Sequence, residues 1–357
     1  MRRAWLACAA AAVLGCGSQS DTLGRFGGEQ GTPIPKRAAS VLVPACQLDA
    51  WQSETIASSA AKSVLGTVIL LCPTMRDDGT IAPAESSAQH ELAQQVSQLR
   101  TLGYAVRLAV TMADELGQPY PAQTMQSSLG SATWRAQIVA NAAPFAAMAD
   151  GLDLQLPPPP AGEPQDVTSL TAALAHGIGG KHLGIFAPPS LKPGDVPGAD
   201  AYDLASLGPL VDRVHLLTLD YSCCNGAGPT IDPGWAVDVE RTARGSTSAP
   251  VDVSYPLYGW DFGPNGASRS VSYLEAEQVA GDTHATVRRG PTGEPFYDWT
   301  DTAGGSHETW FDDATSTSWA LAAWDTQTLP GDVGVVFWGL GSEDPQLWTT
   351  LAGEVMR

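Results

Sequence analysis

Eight short runs rich in Val, Ile and Leu recur along the chain, separated by longer stretches of helical pattern. They fall at residues 40–45, 67–71, 105–110, 151–156, 182–187, 213–219, 251–255 and 333–338. Most of the runs alternate little between polar and apolar residues, as strands covered on both faces do. A strand followed by a helix, repeated, is the pattern of βα units and a parallel sheet. Eight such units predict an α/β fold, a closed (β/α)8 TIM barrel. A barrel of this kind needs ~250 residues, and the chain has 357. The stretches 90–102, 133–148 and 167–176 read as helices, the first with N-cap support in Ser86 and Ser87.

One interval departs from the rhythm. Roughly eighty residues separate the seventh and eighth runs, against ~30 for a βα unit. The segment 261–330 carries Trp299, Trp310, Trp319 and Trp324 and is not low in complexity. A structureless loop of that length is uncommon in a compact domain. We therefore expect an α+β insertion between strands 7 and 8. Four prolines at 157–160 stop the fourth strand.

The N-terminus reads as a targeting segment. Arg2 and Arg3 precede an apolar stretch at 5–14, too short for the ~20 residues that span a bilayer. Val13, Leu14, Gly15 and Cys16 resemble the bacterial lipobox, in which the cysteine carries lipid. Residues 1–16 are thus expected to be a lipoprotein signal, 17–38 a flexible tether, and 39–357 the barrel. Gly17 follows Cys16, which by resemblance to lipoprotein sorting signals implies the outer membrane. The expected location is the bacterial cell envelope, with membrane attachment through the lipid anchor.

Export implies an oxidising compartment. Cys46 and Cys72 end the first two strands, which neighbour each other in a barrel, so a disulfide between them is geometrically reasonable. Cys223 and Cys224 are adjacent, leaving a vicinal bridge and two thiols as alternatives. The six His residues show no ligand spacing, so no metal is expected. No phosphate-binding Gly-rich motif follows a strand, and no cofactor is expected. A net charge of −19 without a basic face argues against nucleic acid as partner. Neutral glycans remain compatible, and the chain is expected to be a monomer.

Barrel enzymes build their sites at the C-terminal ends of the strands. In the run DGLDLQLP, Asp150 to Pro157, the side chains of Asp153, Gln155 and Pro157 share one strand face. Asp220 ends the sixth strand and Trp338 the eighth. An aromatic ring at such a strand end can stack on the apolar face of a sugar. Plainer readings stand beside these. Trp338 can be core, Asp153 a hydrogen-bonded structural carboxylate, and Tyr258 and Trp260 a cover for the insertion.

Four segments together resemble glycoside hydrolase family 18. DGLDLQLP is similar to its fourth-strand motif D-G-x-D-x-D-x-E, with Gln155 where the third Asp belongs and Pro157 where the acid Glu belongs. VHLLTLDYS (214–222) is similar to M-x-Y-D-Y, keeping Asp220 and Tyr221. SYPLYGWDFG (254–263), with Tyr258 and Trp260, resembles the seventh-strand motif. GVVFWGLGSEDPQLW (334–348) looks like the eighth-strand ending of the branch that includes spore-cortex peptidoglycan hydrolases, which puts Trp338 at the floor of the sugar site. HETWFDDATSTSWA, from His307, resembles that branch too.

The resemblance implies substrate-assisted hydrolysis, in which the Glu protonates the leaving oxygen and the neighbouring Asp steadies the acetamido group. A proline can do neither. General acid catalysis contributes typically ~10²–10⁴-fold, so the expectation is a glycan-binding barrel with lost or weak hydrolysis. The ligand would be N-acetylglucosamine-containing, of peptidoglycan or chitin type. Asp153 and Asp220 are the remnant catalytic positions; Gln155, Tyr221, Tyr258, Trp260 and Trp338 are the candidate sugar contacts. Two alternatives remain: an active hydrolase with a relocated acid such as Glu163 or Asp220, and a structural protein with a plugged mouth.

Overall fold

The computed structural model describes residues 37–83, 88–114, 118–157, 164–222, 226–326 and 333–354. The lipobox with Cys16, Ser86, Ser87, Glu163, Cys223 and Cys224 lie outside the described residues.

Eight parallel strands close into a barrel: Ala39–Val43, Thr67–Met75, Ala105–Met112, Gly151–Gln155, His182–Ala187, Arg213–Leu216, Val251–Pro256 and Gly334–Trp338. Closure is made by the first strand, which pairs with the eighth (Val41 with Phe337) and with the second (Val41 with Val68). Side chains alternate across each strand. Val41, Val68, Leu108, Leu154, Ile185, Val253 and Phe337 therefore point outward into the layer shared with the helices. Leu42, Ile69, Ala109, Phe186, Leu217, Val336 and Trp338 form a separate cluster inside the barrel.

Helices cover the outside. Ala50–Ala57 starts at a capping box in which Asp49 accepts from the Gln52 amide. Ala132–Met148 is capped by Ser131 and Pro233–Arg244 by Asp232, with Pro233 at the first helical position. The sixth strand leaves the ladder three residues before the sequence pattern predicts. The Thr218 amide donates back to Leu216 O and the Leu219 amide to Leu217 O, both across 2.8 Å, which coils the chain toward Asp220. Cys46 and Cys72 form a disulfide with their Cα atoms 4.8 Å apart.

Between strands 7 and 8 the chain builds a second, antiparallel sheet from Gly259–Phe262, Ser268–Val271, Arg288–Arg289, Pro295–Thr300 and Ser306–Trp310. One of its faces buries Tyr297, Phe311 and Val271 against Ala276 and Ala280 of helix Tyr273–Thr283. The other face carries Trp260, Trp310, Phe296 and Arg288 in one cross-strand row. Helix Ala314–Thr326 then rejoins the outer ring, packing on Pro233–Arg244 and Leu347–Glu354.

Candidate functional site

The lower part of the barrel interior is charged. Arg107, Asp153, His215 and Asp252 project inward from strands 3, 4, 6 and 7, joined by Arg213 at the start of strand 6. Asp153 is fully buried and takes Arg107 Nε at 2.9 Å and Nη2 at 2.7 Å, with His215 Nε2 at 3.3 Å. His215 Nδ1 lies 2.9 Å from Asp252 Oδ2, and Arg213 Nη1 lies 2.5 Å from Asp252 Oδ1. Glycines make the room. A Cβ on Gly184 would sit 2.1 Å from Asp153 Oδ1, and one on Gly334 would sit 2.2 Å from Asp252 Oδ1.

Burial alone would push the Asp153 carboxyl up. The Arg107 charge and the His215 hydrogen bond outweigh it and hold the group well below the usual carboxylate range. Burial likewise pulls His215 down, but its contacts with Asp153 and Asp252 win and raise it, favouring the imidazolium. Asp153 is therefore fully engaged as a structural ion. Phe186 closes this layer from above, its ring 4.7 Å from His215 and in edge contact with Trp338 at 5.5 Å.

The mouth begins two residues further along each strand. Gln155 is 4% exposed, and its Oε1 is buried without a hydrogen-bond partner. Pro157 is buried at the next position on the same face. Just before it, Leu156 O accepts from the Tyr202 hydroxyl at 3.2 Å. The position that the family motif gives to a proton donor thus holds a pyrrolidine ring.

Asp220 stands past the end of strand 6, with a left-handed backbone (φ 59°) that aspartate tolerates better than most residues. Its Oδ1 accepts from the Tyr258 hydroxyl at 2.8 Å and from Trp260 Nε1 at 2.6 Å. Its Oδ2 is buried and unpartnered. Burial pushes this carboxyl up to about 6, with Trp260 and Tyr258 pulling the other way. Among the described residues no Arg, Lys or His pairs with it or offsets the burial.

The other candidate contacts divide. Tyr258 and Trp260 sit at the mouth, their polar atoms directed at Asp220. Trp338 caps the interior cluster, 8% exposed, with Tyr258 packed beside it. Tyr221 turns toward Trp235 of the outer helix, ring centroids 5.2 Å apart, and does not join this group of contacts.

Sequence reading missed a second pair of acids. Glu294, from the insertion, and Asp312, before helix Ala314–Thr326, are both buried. Thr230 Oγ1 lies 3.0 Å from Glu294 Oε1 and 2.8 Å from Asp312 Oδ2. A hydroxyl has one hydrogen to give, so the second contact needs a proton on one of the acids. Glu294 also accepts from the Thr230 and Ile231 amides, and Asp312 from Tyr255 and Ser316. Burial pushes both carboxyls up, Asp312 to about 6, and the Asp312 charge adds to the rise at Glu294. This network fastens the insertion to the barrel beside strands 6 and 7. No residue spacing announces it; only the fold brings 230, 255, 294 and 312 together.

Among the described residues no group of three or more His, Cys, Asp or Glu could hold a metal ion. No described helix is long and apolar enough to cross a membrane.

No family model matches the chain. It is similar to the cortical fragment-lytic enzyme of Bacillus subtilis, 28% identical over 163 residues, which are 43% of this chain and 37% of that relative. It thus spans well under half the length of that relative. The spore cortex-lytic enzyme of Bacillus cereus superposes with a TM-score of 0.74 at 18% identity, covering 91% of this chain and 76% of the other. A chitinase from Chromobacterium violaceum superposes with a TM-score of 0.75 at 20% identity, covering 90% and 100%. The fold is the barrel of these chitinases and cortex-lytic enzymes, and the chain resembles the family-18 branch to which the cortex hydrolases are similar.

Proposed function

We propose that this chain is a glycan-binding barrel of the family-18 type whose hydrolysis is lost or weak. The observation that carries it is the fourth strand: Gln155 and Pro157 stand buried where an ionisable pair would do the chemistry. What survives around them is recognition. Trp338 closes the floor, and Gln155 Oε1 and Asp220 Oδ2 are acceptors with no donor of their own. Sugar O–H and N–H groups are the donors that such acceptors match. The relatives named above support a peptidoglycan-like or chitin-like polymer as the ligand class.

A lipid anchor also belongs to this reading. The VLGC segment ending at Cys16 supports a lipid anchor in the bacterial envelope. Metabolic labelling with an alkyne fatty acid should mark the wild-type chain and leave Cys16→Ser unmarked.

Titration of the chain with N-acetylglucosamine oligomers, followed by Trp fluorescence, tests binding directly. A saturable response in the micromolar to millimolar range is expected, without release of reducing ends. No response at millimolar ligand removes the binding claim. Reducing ends released by the wild type and abolished in Asp220→Asn would make the protein a working hydrolase with a relocated acid. The double change Gln155→Asp with Pro157→Glu should raise hydrolysis by about 10²–10⁴-fold over the wild type.

A further inference from the structure

The two carboxylates at the remnant catalytic positions have opposite surroundings. Asp153 is enclosed by Arg107 and His215. Asp220 is just as dry, yet no cation among the described residues acts on it. Buried charges in proteins are normally paired. Tyr258 and Trp260 both donate to Oδ1, which leaves Oδ2 without a donor. Gln155 Oε1, at the exit of strand 4, is a second buried acceptor without a partner. The mouth is therefore short of donors and short of one positive charge.

An N-acetyl group answers this poorly. It brings one N–H, no charge, and a carbonyl oxygen that is itself an acceptor. An ammonium brings three N–H donors and the charge, and hydrogen bonds between charged partners are roughly twice as strong as neutral ones. The substituted fourth strand points the same way. In substrate-assisted hydrolysis the acetamido group is the nucleophile, and here the position that would steady it holds Gln155, with Pro157 at the acid position.

We propose that the mouth takes an amino sugar with a free, protonated amine, a de-N-acetylated glucosamine unit, whose ammonium donates to Asp220 Oδ2 and Gln155 Oε1. This rests on the glycan-binding reading and narrows it to partly deacetylated polymers.

The test is calorimetric titration of the full chain at pH 7 with the tetramers of glucosamine and of N-acetylglucosamine. Salt at 0.15 M shortens the reach of the protein's general negative charge to ~8 Å. Trilysine serves as a cation without a sugar. The glucosamine tetramer is expected to bind at least tenfold tighter than the acetylated one, and Asp220→Asn to remove that difference. Equal affinities in the wild type overturn the proposal while leaving glycan binding intact. So does a preference that survives in Asp220→Asn, or trilysine binding as tightly as the glucosamine tetramer. If neither tetramer binds, both readings fall. The wild-type comparison stands by itself should Asp220→Asn fold poorly.

Discussion

Arg107 grips Asp153 through two nitrogens, Nε at 2.9 Å and Nη2 at 2.7 Å, in an interior where the carboxylate has no exposed surface. The residue that the catalytic-strand motif marks is thus the centre of a structural ion network. Removing one partner of a buried pair leaves the other uncompensated, a cost of about 3–5 kcal/mol. Asp153→Ala should lose stability of that size in denaturant titrations. Its glycan affinity, measured below the unfolding transition, should stay within about twofold, because Phe186 and its apolar neighbours lie between that carboxylate and the mouth.

The Glu294–Asp312 pair sets a pH dependence. Burial raises both carboxyls, so the folded chain keeps a proton that the unfolded chain releases near pH ~4. The folded state then binds more protons, and this contribution falls as pH rises from ~4 through about 6. The loss is on the order of 2–3 kcal/mol. In Asp312→Asn the amide can donate to Thr230 Oγ1 and the neighbouring charge is gone, so burial alone raises Glu294, which keeps its three donors. Thermal melts between pH 4 and 8 should show the variant gaining on the wild type as pH increases.

Trp338→Ala should weaken glycan binding by about tenfold or more, the effect of truncating a central aromatic contact. It should also shrink the fluorescence change on titration. An unchanged affinity would assign Trp338 to packing alone.

The Cys46–Cys72 bond closes a loop across 26 residues of sequence. Loop-closure entropy for that length gives about 3–4 kcal/mol. Reduction, or the double change to serine, should lower the unfolding midpoint accordingly.

Most of the barrel was legible in the sequence because strand periodicity is local. All eight runs became strands in the expected order, and the expected disulfide formed, with Cys46 past the end of the first strand and Cys72 inside the second, which runs on to Met75. The sixth strand was overextended because Leu217 and Leu219 continue the apolar run although their amides bond backward. The charged layer does leave a signal: Arg107 and His215 interrupt apolar strands at inward positions, and Gly184 and Gly334 clear space beside the layer's carboxylates. Tyr258 and Trp260 are candidate sugar contacts by sequence, and no local pattern reveals that both donate to Asp220. The Glu294–Asp312 pair spans elements distant in sequence, so no local pattern could reveal it.

Phe186 packs against His215 and also meets Trp338 in an edge contact. It joins a scaffold held by ions to the apolar cluster beneath the barrel mouth. Substitutions at the mouth that spare Arg107, Asp153, His215 and Asp252 keep the partners of those ions, so the mouth can change its chemistry without first repairing its foundations.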